Sequence, residues 1–429
     1  MKRSLAIFIS VLLCCCILTA SAAAAPADTR TRTFDSRVGS LKVNPTGADM
    51  LPPVVRLGSG RSIEVAFDII GDDRLYLRYT LTHCNADWQP DALVASEYLD
   101  SFNDAEVEEW AFSGATTVPY VHYRIEVPDV RMNPRLSGNY LLKVYEDGKP
   151  DDILLQARFA LEEGAVGISA KVSGVTDIDY MQAHQQLDID VDGGDMLSME
   201  DINNRLIVKV RQNGREDDVR TLQRPQYTDG RGSNGGICGH YTHMRPLIFS
   251  AGNEYRRFES VSTEHPNMGV AEVVYADPYY HFRLADDSPR REYTYDRTQQ
   301  GRYRVREVNS AESDLDADYM VVHFTLAMPE LKDADIYIDG DLTNRRLDSS
   351  ARMHYDSDEG VYRHAMLLKQ GSYNYQYLVV PRGKSVGVTA PVEGDFAQTA
   401  DEYRIDVYYR EPGARYDRLL GSRTVMSLQ

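Results

Sequence analysis

Four groups of residues have the types and spacing that chemistry asks for. Gly383-Lys384-Ser385-Val386-Gly387 matches the G-x-S-x-G pattern of a serine-nucleophile elbow. An elbow needs a strand, a sharp turn and then a helix, so that the hydroxyl stands exposed above a sheet. Residues 386–390 read instead as another strand, which makes 381–384 a hairpin loop. The same Gly-Lys-Ser lacks the upstream glycine of a phosphate-binding loop, because Leu378 stands there. Asp188-Ile189-Asp190-Val191-Asp192-Gly193 imitates the start of a calcium loop, but Met199 occupies the place of the bidentate glutamate. Leu187, Ile189 and Val191 alternate with the acids, as in a strand with one wet, acidic face. Cys238, His240 and His243 have the spacing of zinc ligands, in and beside a Gly-rich loop (229–239) that offers no obvious fourth ligand. Trp88, Trp110 and the 28 tyrosines suit either a sugar-stacking platform or amphipathic strands, with rings inside and hydroxyls at the rim. The reading carries forward no catalytic residue, no cofactor and no metal, and it does not expect an enzyme.

The elements that would position these residues are strands. In residues 367–380 (LLKQGSYNYQYLVV), Tyr373, Tyr375 and Tyr377 alternate with Asn374 and Gln376 after a Gly371 turn. Period-2 alternation predicts one buried and one wet face. The same grammar recurs at 63–69, 75–81, 120–128, 137–145, 185–191, 206–211, 270–276, 318–326 and 403–409. Residues 92–104 are the best short helix or loop, and the charged, Tyr-rich stretch 290–307 reads as a hairpin. Short strands punctuated by Gly, Pro and Asn predict an all-β chain of tandem β-sandwich, immunoglobulin-like domains with short helical insertions. The expected division is a signal peptide (1–25), a flexible leader (26–36), a first sandwich (37–163), a second β-rich domain (164–310), a last sandwich (318–412) and a basic-tinged tail (413–429).

Bulk properties narrow the function classes. The 429 residues are 42% hydrophobic and 26% charged, with a formal net charge of −18. That length suits two to four domains. The acidic balance argues against nucleic acid and against anionic membrane surfaces. Lys2 and Arg3 precede an apolar run at 7–18 and small residues around 20–25, the pattern of a secretory signal. Cys14, Cys15 and Cys16 lie inside that run and lack the preceding small residues of a lipoprotein signal. Only Cys84 and Cys238 follow it, as one disulfide or as two separate buried thiols.

Nine segments in order carry a family resemblance: 83–88 (HCNADW), 98–102, 120–123, 137–140, 211–215 (RQNGR), 251–258, 318–319, 368–377 and 415–417 (RYD). With them the chain resembles the plug protein family of the type IX secretion system, found in Bacteroidetes. The resemblance implies a periplasmic, non-enzymatic β-protein at the inner face of the outer membrane, partnered with the outer-membrane translocon barrel. It would block the periplasmic opening of that barrel when no substrate passes. The last domain also resembles an early-set (E-set) immunoglobulin domain of the glycogen-binding type, although Asn344-Arg345-Arg346 lacks the sugar-stacking Trp. An exported glycan-binding module is the alternative, and a surface hydrolase is disfavoured by the failed elbow. The aromatic turn Tyr255, Arg256, Arg257 and Phe258 supplies the candidate partner-binding residues, with no nucleic acid and no small-molecule substrate expected.

Overall fold

The structure is a computed structural model that describes residues 27–427. The signal-peptide reading of 1–25 lies outside the described residues. The chain is all-β, with short helices at Ala95–Tyr98, Met199–Asn204 and Ser313–Asp316. Among the described residues the strands form six sheets, which close three large hydrophobic cores.

In the first sandwich, Gly138–Glu146 pairs between Ile153–Glu162 and Leu77–Cys84. The other sheet runs Val38–Pro45, Ile63–Ile70, Tyr120–Val127 and Glu109–Phe112. Alternation in both sheets sends Val65, Phe67, Tyr123 and Ile125 inward against Leu81, Leu142, Val144 and Phe159. Phe67 stacks on Tyr123 with ring centroids 5.4 Å apart, and such pairs add about 0.5–1.5 kcal/mol to area burial.

The leader is not mobile over its described part. Arg32–Thr33 pairs with Ile153–Glu162. Gln156 Nε2 donates to the carbonyls of Asp28 (2.9 Å) and Arg30 (2.8 Å), and Thr29 is buried. Residues 413–427 are likewise no tail, because Arg418–Met426 is a full strand paired with Glu402–Tyr409.

The other two sandwiches exchange strands relative to the linear division. Glu402–Tyr409 was expected in the last domain. It pairs instead with Leu206–Gln212 of the middle sandwich, from Leu206↔Tyr409 to Gln212↔Tyr403. Conversely, Arg256–Glu259, Val270–Ala276, Tyr279–Leu284 and Tyr303–Val305 join the last sandwich. The chain thus leaves the middle sandwich, builds the last and returns. The expected hairpin over 290–307 is mostly irregular backbone that ends in Tyr303–Val305.

Gly371–Pro381 is the central strand of the last sandwich, flanked by Arg256–Glu259, Tyr303–Val305 and Ala334–Asp339. Tyr373, Tyr375 and Tyr377 are buried as the alternation predicts, but Asn374 and Gln376 are buried too. Asn374 exchanges hydrogen bonds with Gln299 (2.7 and 2.9 Å). Gln376 Nε2 donates to Tyr255 Oη and Asp339 Oδ2, both at 2.9 Å. The face expected to be wet is covered by side chains from remote parts of the chain.

Candidate functional site

The residues singled out by motif fall apart as chemistry. Ser385 lies in an exposed turn, and no helix follows it; residues 386–390 form no strand either, only a bridge between Val379 and Val388. His184–Asp192 is a strand whose Leu187, Ile189 and Val191 are buried. Register sets Asp190 opposite His240 and Asp192 opposite Cys238. Asp190, Cys238 and His240 therefore meet, with one potential ligand atom of each within 4.8 Å of the others. His243 does not join them and binds Asp177 instead (2.9 Å). His240 lies between Asp190 (2.6 Å) and Asp229 (3.2 Å) and stacks on Tyr227. Although burial opposes it, these carboxylates raise the pKa of His240 above its usual value. Burial and the neighbouring acids push the Cys238 thiol up to about 11. Cys84 and Cys238 are both free and buried, in different sandwiches.

The aromatic turn proposed as a partner anchor is mostly interior. Tyr255 and Phe258 are buried, and Phe258 stacks on Tyr373 at 5.0 Å. Arg256 is held by Asp287 (2.6 Å) and Glu393 (3.1 Å). Arg257 is the most exposed of the four, paired with Asp296 (2.9 Å). It lines a cleft of about 1300 Å³ between the first and last sandwiches, with Glu64, Arg124, Glu259 and Arg304. Charges of both signs face this cleft, so no single counter-ion dominates it.

A better docking element is the loop that joins Gly167–Ser173 to His184–Asp192. It exposes Val175 (50%), Ile178 (56%), Tyr180 (72%) and Met181 (52%). Its polar residues hold the backbone. Thr176 N donates to Asp179 O (3.0 Å), Met181 N to Gly174 O (2.8 Å) and Asp177 N to Gln186 Oε1 (2.7 Å), while His184 binds Asp179 (2.6 Å). The result is a pre-shaped knuckle with its apolar side chains outward. An aromatic anchor on a rigid support is what a protein partner recognises at low entropic cost. Sequence reading passed over it; the apolar pattern V-T-D-I-D-Y-M within turn-forming residues was the available signal.

Polar contacts, several of them buried, join the sandwiches to one another. Asp68 of the first accepts from Lys369 Nζ and Tyr319 Oη of the last, both at 2.7 Å, and from its own neighbour His122 (2.7 Å). Burial pushes Asp68 upward, but Lys369 and His122 outweigh it and hold the carboxyl below its usual range. Beside them, Thr117 N and Val118 N donate to Asp318 (2.7 and 3.0 Å). Tyr319 lies so close to Gly39 that any side chain there would collide with its hydroxyl. The first and middle sandwiches are joined by Arg418–Glu163 (2.6 Å), by Ala86 N on Asp417 (2.9 Å) and by Tyr408 Oη on Asn139 (2.9 Å). The middle and last meet through the two-pronged Arg302–Glu402 pair (2.6 and 3.0 Å). Buried, geometrically fixed pairs of this kind specify one arrangement, because breaking one strands a charge away from water.

Comparison with known proteins agrees with this architecture. A family model described as the first domain of the type 9 secretion system plug protein matches residues 38–163. Among solved structures, a hypothetical protein from Parabacteroides merdae ATCC 43184 is 40% identical, covering 92% of this chain and 99% of that one, with a TM-score of 0.89. Two further structures are too unlike to carry an argument. One is the alkylpurine DNA glycosylase AlkC of Pseudomonas fluorescens (16% identity, 29% of this chain, 30% of that one, TM-score 0.18). The other is dimeric latent PorU of Porphyromonas gingivalis (9% identity, 90% of this chain, 34% of that one, TM-score 0.13). No curated protein matches the chain.

Proposed function

This chain belongs to the type 9 secretion system plug protein family, and from that premise we propose that it closes the periplasmic opening of the outer-membrane translocon barrel when no substrate is passing. A role related to type IX secretion follows from the family; the partner and the act of plugging are this proposal. No helix of the described residues is long and apolar enough to cross a membrane. The expected export signal would bring the chain to the periplasm.

The observation that supports plugging is mechanical. A plug must be wide and must not deform under a gradient. Three sandwiches joined by buried pairs such as Asp68–Lys369 and Arg302–Glu402 supply a rigid body of that kind. It must also leave on demand, which favours a small set of anchors over a broad apolar interface. The knuckle with Ile178 and Tyr180 is the proposed anchor. In this proposal the chain acts by occupying space.

The test is conductance of the purified barrel in planar bilayers. Added from the periplasmic side, the chain is expected to close the pore, and Ile178→Asp/Tyr180→Ala is expected to weaken closure at least tenfold while the circular dichroism stays unchanged. An open pore at saturating wild-type protein would sink the proposal.

A further inference from the structure

Where the three sandwiches meet, the chain forms a half-open cavity of about 160 Å³. Its two sides differ in character. One side is apolar: Leu51, Pro52, Trp88 and Phe159, all from the first sandwich. The other is cationic, which is unexpected in a chain of net charge −18. Arg158, Arg211 and Arg404 converge there on only two carboxylates. Arg158 Nη1 reaches Glu216 at 2.9 Å and Arg211 Nε at 3.1 Å. Arg211 Nη1 and Arg404 Nε share Asp406 at 2.6 and 3.1 Å.

Two further observations show that this side is short of negative charge. Although the Arg211 Nε is buried, it has no hydrogen-bond partner, because Glu216 lies off its N–H direction. Lys42, which also lines the cavity, has no carboxylate closer than Asp49 at 3.8 Å, and Asp49 is shared with Arg304 (3.3 Å). Burial and the proximity of Arg211 together pull the Arg158 guanidinium down to about 10, against the attraction of Glu216. The remaining cations on the lining are matched, Arg30 by Asp28, Arg302 by Glu402 and Arg345 by Asp341.

We propose that this cavity binds a small amphipathic oxyanion: one carboxylate or phosphate-ester head against Arg211, Arg404 and Lys42, with a short apolar or aromatic body against Trp88 and Pro52. Guanidinium forks suit such heads because their paired N–H groups match two oxygens at once. One anionic head is what the uneven sharing leaves room for. The body would replace water on the apolar side. The cavity is lined by all three sandwiches, so an occupant would also tighten their arrangement by binding the assembled form alone. This reading stands apart from the plugging proposal.

The experiment is calorimetric titration and thermal unfolding of the full chain with benzoate, phenyl phosphate and neutral benzamide. Benzoate or phenyl phosphate is expected to bind at one site and raise the melting temperature, and benzamide to do neither. The stronger of the two anions identifies the head. Lys42→Gln is expected to weaken binding at least tenfold with little change in the melting temperature of the free protein. Arg404→Gln is the second variant should the first fail to fold. No binding of either anion at millimolar concentration to natively folded protein would overturn the proposal. So would equal binding of benzamide, or affinity unchanged in the variants.

Discussion

Asp401 shows how far a single residue can depart from what its letter suggests. It is buried, Asn213 Nδ2 donates to its Oδ1 (2.7 Å), and its Oδ2 has no partner. Burial raises its pKa well above the usual value, with Glu254 and Asp395 adding to the effect and the amides of Asn213 and Gln212 opposing it. The folded state therefore holds this proton more tightly than the unfolded chain does. The resulting stability is fully present below the unfolded carboxyl pKa and is lost as pH rises through the folded one. Asp401→Asn keeps the shape without the charge. Its melting temperature should match wild type near pH 4 and exceed it near pH 8, by about 1 kcal/mol or more in stability. Equal stability of the two proteins at pH 8 would show that the carboxyl is charged and solvated. Nothing in the local sequence T-A-D-E-Y marks this aspartate as buried, because its surroundings are set by Asn213, Glu254 and Ser427, all distant in the chain. The motif residues follow the same logic. The strand over Leu187–Val191 was legible from its alternation, whereas the meeting of Asp190 with Cys238 and His240 depended on register across a long loop.

At the scale of elements, alternation located the strands well, since a half-buried strand writes its inner face into every second residue. It failed where a second layer covers the outer face. Asn374 and Gln376 look solvated by type and are interior because Gln299, Tyr255 and Asp339 satisfy them. The leader is the converse case: polar and Arg/Thr-rich, it lacks an apolar face and reads as mobile, yet it is a working edge strand. Its backbone and the Thr29 hydroxyl accept from the buried Gln156 and half-buried Arg158 side chains, with Arg158 Nε on Thr29 O at 2.8 Å and Nη2 on Thr29 Oγ1 at 2.6 Å. Deleting residues 27–36 strips acceptors from both donors. An unsatisfied buried group costs about 1–3 kcal/mol, so a destabilisation of several kcal/mol is expected, with faster amide hydrogen exchange along Ile153–Glu162. Unchanged exchange there would mean that the leader is as mobile as its composition suggests.

For the whole molecule, the deciding feature is that the chain builds its last sandwich before completing the middle one. Glu402–Tyr409 returns to pair with Leu206–Gln212, and Arg418–Met426 pairs with Glu402–Tyr409 in turn, so the middle unit is not complete until these late strands are in place. A linear reading could not see this, because each strand is locally as good a neighbour for one sheet as for another. Such interleaving, with buried ion pairs across each junction, predicts that the three sandwiches unfold together in one calorimetric transition. The Asp68–Lys369 pair is the most direct handle on that coupling. Lys369→Met removes the cation and leaves Asp68 buried with only His122 and Tyr319 beside it, at a cost of about 3–5 kcal/mol. The last sandwich should then detach from the first, giving an earlier, separate transition. Asp68→Asn/Lys369→Met removes both charges and should recover most of the loss. Acid should act on the same joint. Because the Asp68 pKa is depressed in the fold, its contribution is present above the unfolded carboxyl pKa and lost as pH falls through the folded value. Wild type should therefore loosen in acid more steeply than the double variant. Three separate transitions in the wild-type protein at neutral pH, or a double variant no more stable than Lys369→Met, would show that the sandwiches are merely tethered, and a tethered string would be poorly suited to hold a pore shut.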